Sequence, residues 1–477
     1  MPGWERTHQL FTHELEQMRD EGAPVDRAWW LGRLAQALRD GRAAVEALYD
    51  ELVALPVNEE LALREPNDLA EIRALRPKGP RRMTLPYDEA TLLDRLHGAW
   101  LGRCCGCALG KPFERSPFFF GPNQRAAAEA YLRAANAWPL DFYLPGSAPV
   151  GKLAGADLRS DGIDASVFPV DEHGVMRLHC ERSHRENIEC MESDDDIRYT
   201  LIGLLVAEQH GPKWTSENMA SVWLHHLTYM QVCTAETQAF INMIVSEGGR
   251  WGDFENNWLW VATHRNPYRE WIGAQIRADH FGYAAAGNPE LAAEYAWRDA
   301  RISHVRNGIY GEMFIAAAIA AAFVTGDVRK IVEIALSEIP ADCRLAEAIR
   351  ETVERFDEVG GDWARAWDWF RFENPWGAAN AVHTVPNAIV CVLGLLAGAG
   401  NFERSITHAV LGGLDTDCNG ATVGSIVGAT MRGADVPKKW SEPLHDTIDS
   451  AMPAYGRVSI RSLAERSLAV WKAASGK

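Results

Sequence analysis

The sequence predicts an all-α protein, and three observations carry that expectation. Apolar residues recur at helical spacing from the start of the chain: Phe11, Leu15 and Met18 stand at i, i+4 and i+7, and Leu31, Leu34 and Leu38 at i, i+3 and i+7. Sustained alternation of apolar and polar residues, the mark of half-buried strands, is absent. The run FIAAAIAAAFV (314–324) is almost wholly alanine and apolar, the composition of a helix buried on every face.

The first helix is expected over 8–20. The second spans 26–39, after Pro24 and with Asp26 as N-cap, and the third spans 43–54 through Val45, Leu48 and Leu52. The stretch RPKGPRRMTLP (76–86) holds three prolines and four basic residues, and reads as a linker. It sets an N-terminal helical extension, 1–85, apart from a main domain, 86–435. A long helix starts near Asp88 and carries Leu92, Leu96 and Trp100. A loop-rich insertion at about 115–190 follows, containing PFFFGPN, an alanine-rich helical piece at 124–137 and β-like runs such as SVFPV. Helices resume at Asp195. Val385–Gly400 is uncharged, but it falls short of the ~20 residues a bilayer requires and contains Pro386 and three glycines, so it reads as a buried helix. Gly420, Gly424 and Gly428 form an i, i+4, i+8 stripe beside Ala421, Ser425 and Ala429, a flat face for another backbone. Residues 436–477 read as a helical tail packed on the domain.

Composition narrows the function classes. Of 477 residues, 47% are apolar and 24% charged, which excludes a disordered or collagen-like chain. The net charge of −17 disfavours nonspecific binding to nucleic acid or anionic membrane and suits carboxylates gathered around cations. Nine cysteines, an odd number, and a charged start without an apolar core point to free thiols in a reducing, cytoplasmic setting.

Two acidic clusters stand out: Glu192-Ser193-Asp194-Asp195-Asp196, ahead of an apolar helix, and Asp415-Thr416-Asp417, ahead of the glycine stripe. Acids at helix starts commonly serve as caps. Three consecutive aspartates exceed that need, and the second cluster is flanked by strongly apolar sequence. Partly buried carboxylates require cations or shared protons, and a hard divalent ion such as Mg²⁺ or Mn²⁺ suits them. Capping and ion binding both remain open on spacing alone. Cys104 and Cys107 form a CxxC without a second half, and read as small buried thiols. Gly106 to Pro112 lacks the spacing and the hydroxyl residue of a phosphate-binding loop. No GxSxG, HExxH or dinucleotide motif occurs, and nothing marks a Cys–His pair.

Five segments in order, LHGAWLGRCCGCALGKPFE (96–114), SDDDIRYTLIGLL (193–205), ISHVRNGIYGEMFIAAAIAAAF (302–323), VPNAIVCVLGLL (385–396) and HAVLGGLDTDCNGATVGSIVGA (408–429), resemble the ADP-ribosylglycohydrolase family, over about residues 88–435. The resemblance implies a compact orthogonal helical bundle holding two Mg²⁺ or Mn²⁺ ions. It implies Ser193, Asp194, Asp195, Asp415 and Asp417 as ligands, and Glu114 as a carboxylate that approaches the ions. Glu114, Asp195 and Asp415 are the implied catalytic candidates. The chain departs from the family pattern at three places. Cys107 stands where aspartate is usual, Asp196 where a hydroxyl residue is usual and Cys418 where threonine is usual. Asp196 and Cys418 are therefore additional candidates at the metal or just behind it, with Asp196 supplying the replacement oxygen and the neutral thiol a poor ligand.

The implied activity is hydrolysis of a ribosyl glycosidic bond in an ADP-ribosylated protein or nucleic acid, or in an ADP-ribosyl conjugate. The alternatives are cleavage of a small N-riboside, noncatalytic ADP-ribose binding, and, from the carboxylates alone, a dinuclear phosphohydrolase. Substrate-binding residues are not indicated. The insertion carries Phe118, Phe119, Phe120, Trp138, Phe142 and Tyr143, an expected lid over the substrate pocket.

Overall fold

A computed structural model describes residues 5–152, 165–246, 257–453 and 455–476. Among these residues the all-α expectation holds. The sheets are two antiparallel pairs, Ser147–Ala148 with Met176–Arg177 and Thr447–Asp449 with Arg457–Ser459. The SVFPV run forms no strand; residues 165–167 make a 3₁₀ turn. Residues 153–164 of the expected insertion lie outside the described residues. Among the described residues no helix is long and apolar enough to cross a membrane.

The amphipathic stripes of the N-terminal segment become helices Thr7–Asp20, Arg27–Asp40 and Arg42–Val53. Asp26 caps the second by accepting the Trp29 N–H at 3.1 Å. Their apolar faces share a core of Leu10, Phe11, Leu15, Trp30, Leu34, Tyr49 and Leu52, which also takes in Ala235 and Tyr268 of the main body. Buried charge supplies the rest of the junction. Arg269 reaches Glu14 and Glu21, both at 2.8 Å, and Arg344 reaches Glu65 at 2.7 Å and Glu270 at 2.8 Å. The 76–86 strap contains no helix, but Arg76 and Arg81 fasten it to Glu338 at 2.6 and 2.9 Å.

The helix Glu89–Gly110 starts at Asp88, which accepts the Thr91 N–H at 2.9 Å. It lies antiparallel against Thr416–Ala429 along a seam of glycines. Gly98, Gly102 and Gly106 face Gly428, Gly424 and Gly420. A Cβ on Gly106 would stand 1.9 Å from the Gly420 carbonyl oxygen, and one on Gly102 would stand 2.1 Å from that of Gly424. Only residues without a side chain permit this approach. At the end of the seam the Thr416 hydroxyl donates to the Gly110 carbonyl at 2.8 Å. Gly106→Ala is expected to destabilise the chain by ~1–3 kcal/mol or more, as overpacking does. An unchanged urea midpoint would show that the two helices have room.

The C-terminal helix Ile460–Ser475 packs on the same long helix, where the Trp100 indole donates to the Ser467 hydroxyl at 3.0 Å. The apolar run near 385 forms the fully buried helix Thr384–Gly398, with Pro386 in its first turn, where no backbone donor is lost. Of the aromatics expected to make a lid, Phe118, Phe119 and Tyr143 are buried, Phe118 stacking on Phe113 at 3.9 Å between centroids, while Phe120 is exposed.

Candidate active site

The seam delivers the end of one helix to the start of another. Lys111 to Glu114 follow directly from Gly110, and Asp415 to Asp417 begin the facing helix. The turn into Asp415 passes through two left-handed residues, Gly413 (φ 70°) and Leu414 (φ 60°). A non-glycine residue held there carries backbone strain. The Asp415 N–H is fixed by the Asn387 side-chain oxygen at 3.2 Å.

The second acidic segment arrives from a third direction. Met191 joins the edge of the C-terminal hairpin, its N–H donating to the Thr447 carbonyl at 2.9 Å, and the Ser193 hydroxyl donates to the Ser450 carbonyl at 2.9 Å. Asp194 caps helix Asp195–His210 by accepting the Asp196 N–H at 3.1 Å. Capping and assembly of the cluster are thus properties of the same residue.

These routes bring the carboxylates together. Glu114, Asp415 and Asp417 offer oxygens within 4.8 Å of one another. So do Cys107, Asp194 and Asp417, the set Asp196, Asp417 and Cys418, and the run Asp194, Asp195 and Asp196. Asp417 belongs to three of these groups and joins them. Ser193 sits beside them, but its hydroxyl already accepts from Arg198 at 2.6 Å.

Burial and mutual repulsion raise most of these carboxyls. Asp195 and Asp415 are each pushed up to about 6, primarily by burial, with Asp194 adding to both. Burial, Glu114 and Asp194 hold Asp417 well above the ordinary range. Solvent reaches Glu114. Desolvation, then Asp415, Asp194 and Asp195, push it well up. Asp194 is the exception: burial acts to raise it, but Lys111 and Arg198 outweigh burial and lower it.

The buried oxygens Asp415 Oδ1 and Asp417 Oδ1 have no hydrogen-bond partner. Buried acceptors are nearly always satisfied, so two orphaned carboxylate oxygens close to a third carboxylate could hold a cation. The all-oxygen donor set fits Mg²⁺ or Mn²⁺.

Several site residues were not among the sequence candidates. The Lys111 ammonium lies 3.2 Å from Asp194 Oδ2 and 3.8 Å from Glu192, and donates to the Ser193 carbonyl. Arg103, fully buried, pairs with Asp279 at 2.7 Å and with Asp196 Oδ1 at 3.1 Å. The Cys418 thiol donates to Asp196 Oδ2 at 3.1 Å. Arg198 was legible in principle, one helical turn after Asp194. Nothing local marks Arg103 as the partner of Asp279.

A family model described as ADP-ribosylglycohydrolase matches residues 88–476, so the match continues through the C-terminal helix. No curated protein matches the chain. A solved structure of an ADP-ribosylglycohydrolase-related protein complex is similar at 17% identity and a TM-score of 0.45, covering 81% of this chain and 99% of that one.

Proposed function

The chain belongs to the ADP-ribosylglycohydrolase family, and from that premise we propose that it is a metal-dependent hydrolase that cleaves the bond between a ribose anomeric carbon and its aglycone in an ADP-ribosyl substrate. The observation that carries this reading is the pair of buried, unpartnered oxygens on Asp415 and Asp417 facing Glu114.

A divalent ion held by Asp415, Asp417 and Glu114 would supply Lewis acidity toward the ribose hydroxyls and the attacking water. The remaining chemistry falls to the chain itself. Glu114 is the most exposed carboxylate of the group, and the oxygen it does not give to the ion takes, when ionised, a proton from the water attacking C1. The glycosidic bond breaks with oxocarbenium character, and the surrounding carboxylates favour that developing positive charge. Asp195 is also partly exposed. Lys111 and Arg198 hold Asp194 and Ser193 in place, and Arg103 holds Asp196.

The test is release of ADP-ribose from an ADP-ribosylated protein and from small ADP-ribosyl conjugates, with and without Mn²⁺ or Mg²⁺, alongside nucleosides. Ion-dependent release is expected. Binding of ADP-ribose with no release from any substrate would place the chain among noncatalytic binders. Release only from nucleosides would shift it to small N-ribosides.

A further inference from the structure

We propose that this site takes one divalent cation rather than two, because the ammonium of Lys111 stands permanently in the second place. The proposal rests on the divalent-ion reading above and refines it.

The acidic ring has two lobes sharing Asp417. One is formed with Glu114 and Asp415, the other with Cys107 and Asp194. The first lobe contains the two buried oxygens without partners, on Asp415 and Asp417. The second is committed. Asp194 Oδ1 accepts the Asp196 N–H at 3.1 Å, and Asp194 Oδ2 faces Lys111 Nζ at 3.2 Å. The Ser193 hydroxyl lies between Arg198, its donor at 2.6 Å, and the Ser450 carbonyl, its acceptor at 2.9 Å. Asp196, expected from the sequence to supply the replacement oxygen, is committed to Arg103 through one oxygen and to the Cys418 thiol through the other.

Beyond the shared Asp417 and the committed Asp194, the lobe's own remaining donor is a poor one. Cys107 is fully buried beside Asp194 and Asp417, where it offers sulfur in place of a carboxylate oxygen. A neutral thiol is an ill-suited ligand for a hard divalent ion. The ammonium supplies positive charge to Asp194 without needing ligands of its own, and its remaining donors reach the Ser193 carbonyl and Glu192. An ion entering this lobe would meet a fixed positive charge at close range, which opposes it strongly in a buried setting.

The experiment uses the full chain and Mn²⁺ as probe. Calorimetric titration and electron paramagnetic resonance on the unmutated protein are expected to give one bound Mn²⁺ with the sextet of an isolated ion. Two bound ions with an exchange-coupled spectrum would overturn the proposal while leaving the divalent-ion reading intact. No bound ion at all would overturn that reading itself, and this proposal with it. Replacing the occupant and restoring a hard ligand, Lys111→Met with Cys107→Asp, is expected to raise the stoichiometry to two and to produce the coupled spectrum. Cys107→Asp alone is expected to stay at one. A folded double variant that still holds one ion would show that Lys111 is not what keeps the second out. If the double variant does not fold, the stoichiometry of the unmutated chain decides.

Discussion

Replacing Asp415 and Asp417 together by asparagine is expected to abolish the stabilisation that the proposed Mg²⁺ or Mn²⁺ would give the unmutated chain. An ion at 100 times its dissociation constant contributes ~2.7 kcal/mol to the native state, and the double variant loses all of it. Ion-dependent turnover falls by more than the ~10–100-fold seen when only an outer partner of a ligand is removed. Without ions the variant melts no lower than the parent, because two carboxyls that repel their neighbours have been neutralised. The unmutated chain shows a matching pH dependence. Asp195 and Asp415 have folded values of about 6 against ~3.9 for an unfolded aspartate. Between those values these two groups hold more protons in the folded chain than in the unfolded one, so their own contribution to stability without ions is full below ~3.9 and is lost as pH rises through about 6. An ion must displace those protons, so its stabilising effect is greater at pH 8 than at pH 5. Thermal melts at fixed Mg²⁺ read both effects. A double variant that Mg²⁺ still protects would remove Asp415 and Asp417 from the ligand set.

Arg344→Met is expected to have the largest effect on stability outside the site. Arg344 is held between Glu65 and Glu270, both fully buried, and Asn307 donates to both carboxylates at 2.9 Å. Burial acts to raise Glu270, but Arg344 and its other neighbours outweigh it and hold it down to about 2. Losing one partner of such a group leaves charge buried without compensation, a loss of ~3–5 kcal/mol. Urea unfolding should show it, with faster proteolysis of the N-terminal helices, since Glu65 lies on their side of the junction. Adding Glu65→Gln and Glu270→Gln should recover part of the loss. A variant as stable as the parent would mean that the ion pairs do not join the extension to the body.

The same contrast separates what the amino-acid order discloses from what it conceals. Asp26 and Asp88 are readable as caps because a cap and its helix are adjacent in the chain, and both accept the expected N–H groups. The two acidic clusters are readable for the same reason: each is a run of neighbours. The Gly420, Gly424 and Gly428 stripe announces a close contact but not its partner. The partner repeats the same four-residue period in Gly98, Gly102 and Gly106, far away in the chain, within a helix whose cysteines and leucines disguise it as ordinary core. Glu114 has no local mark and came only from the family likeness. Lys111 fails the pattern of a phosphate-binding loop, which says nothing of where its ammonium goes. The pairs Arg103–Asp279 and Arg344–Glu270 join distant segments, and helical spacing says nothing about them. The SVFPV run, of which only Phe168 is buried, pairs with no strand: β-branched residues alone do not make a sheet.

The glycine seam also bears on the repulsion inside the site. The two helix ends meet through backbone contact that involves no ion, so the packing of the seam by itself holds Glu114 near Asp415 and Asp417. A floppy site would let its acids swing apart and would have to be drawn shut by the ion. Here the framework resembles a clamp already closed on a compressed spring, and a cation bound as proposed would relax the compression without moving the jaws. Affinity then depends on stiffness far from the ion, and a methyl group added at the seam would loosen the grip on a metal it never touches.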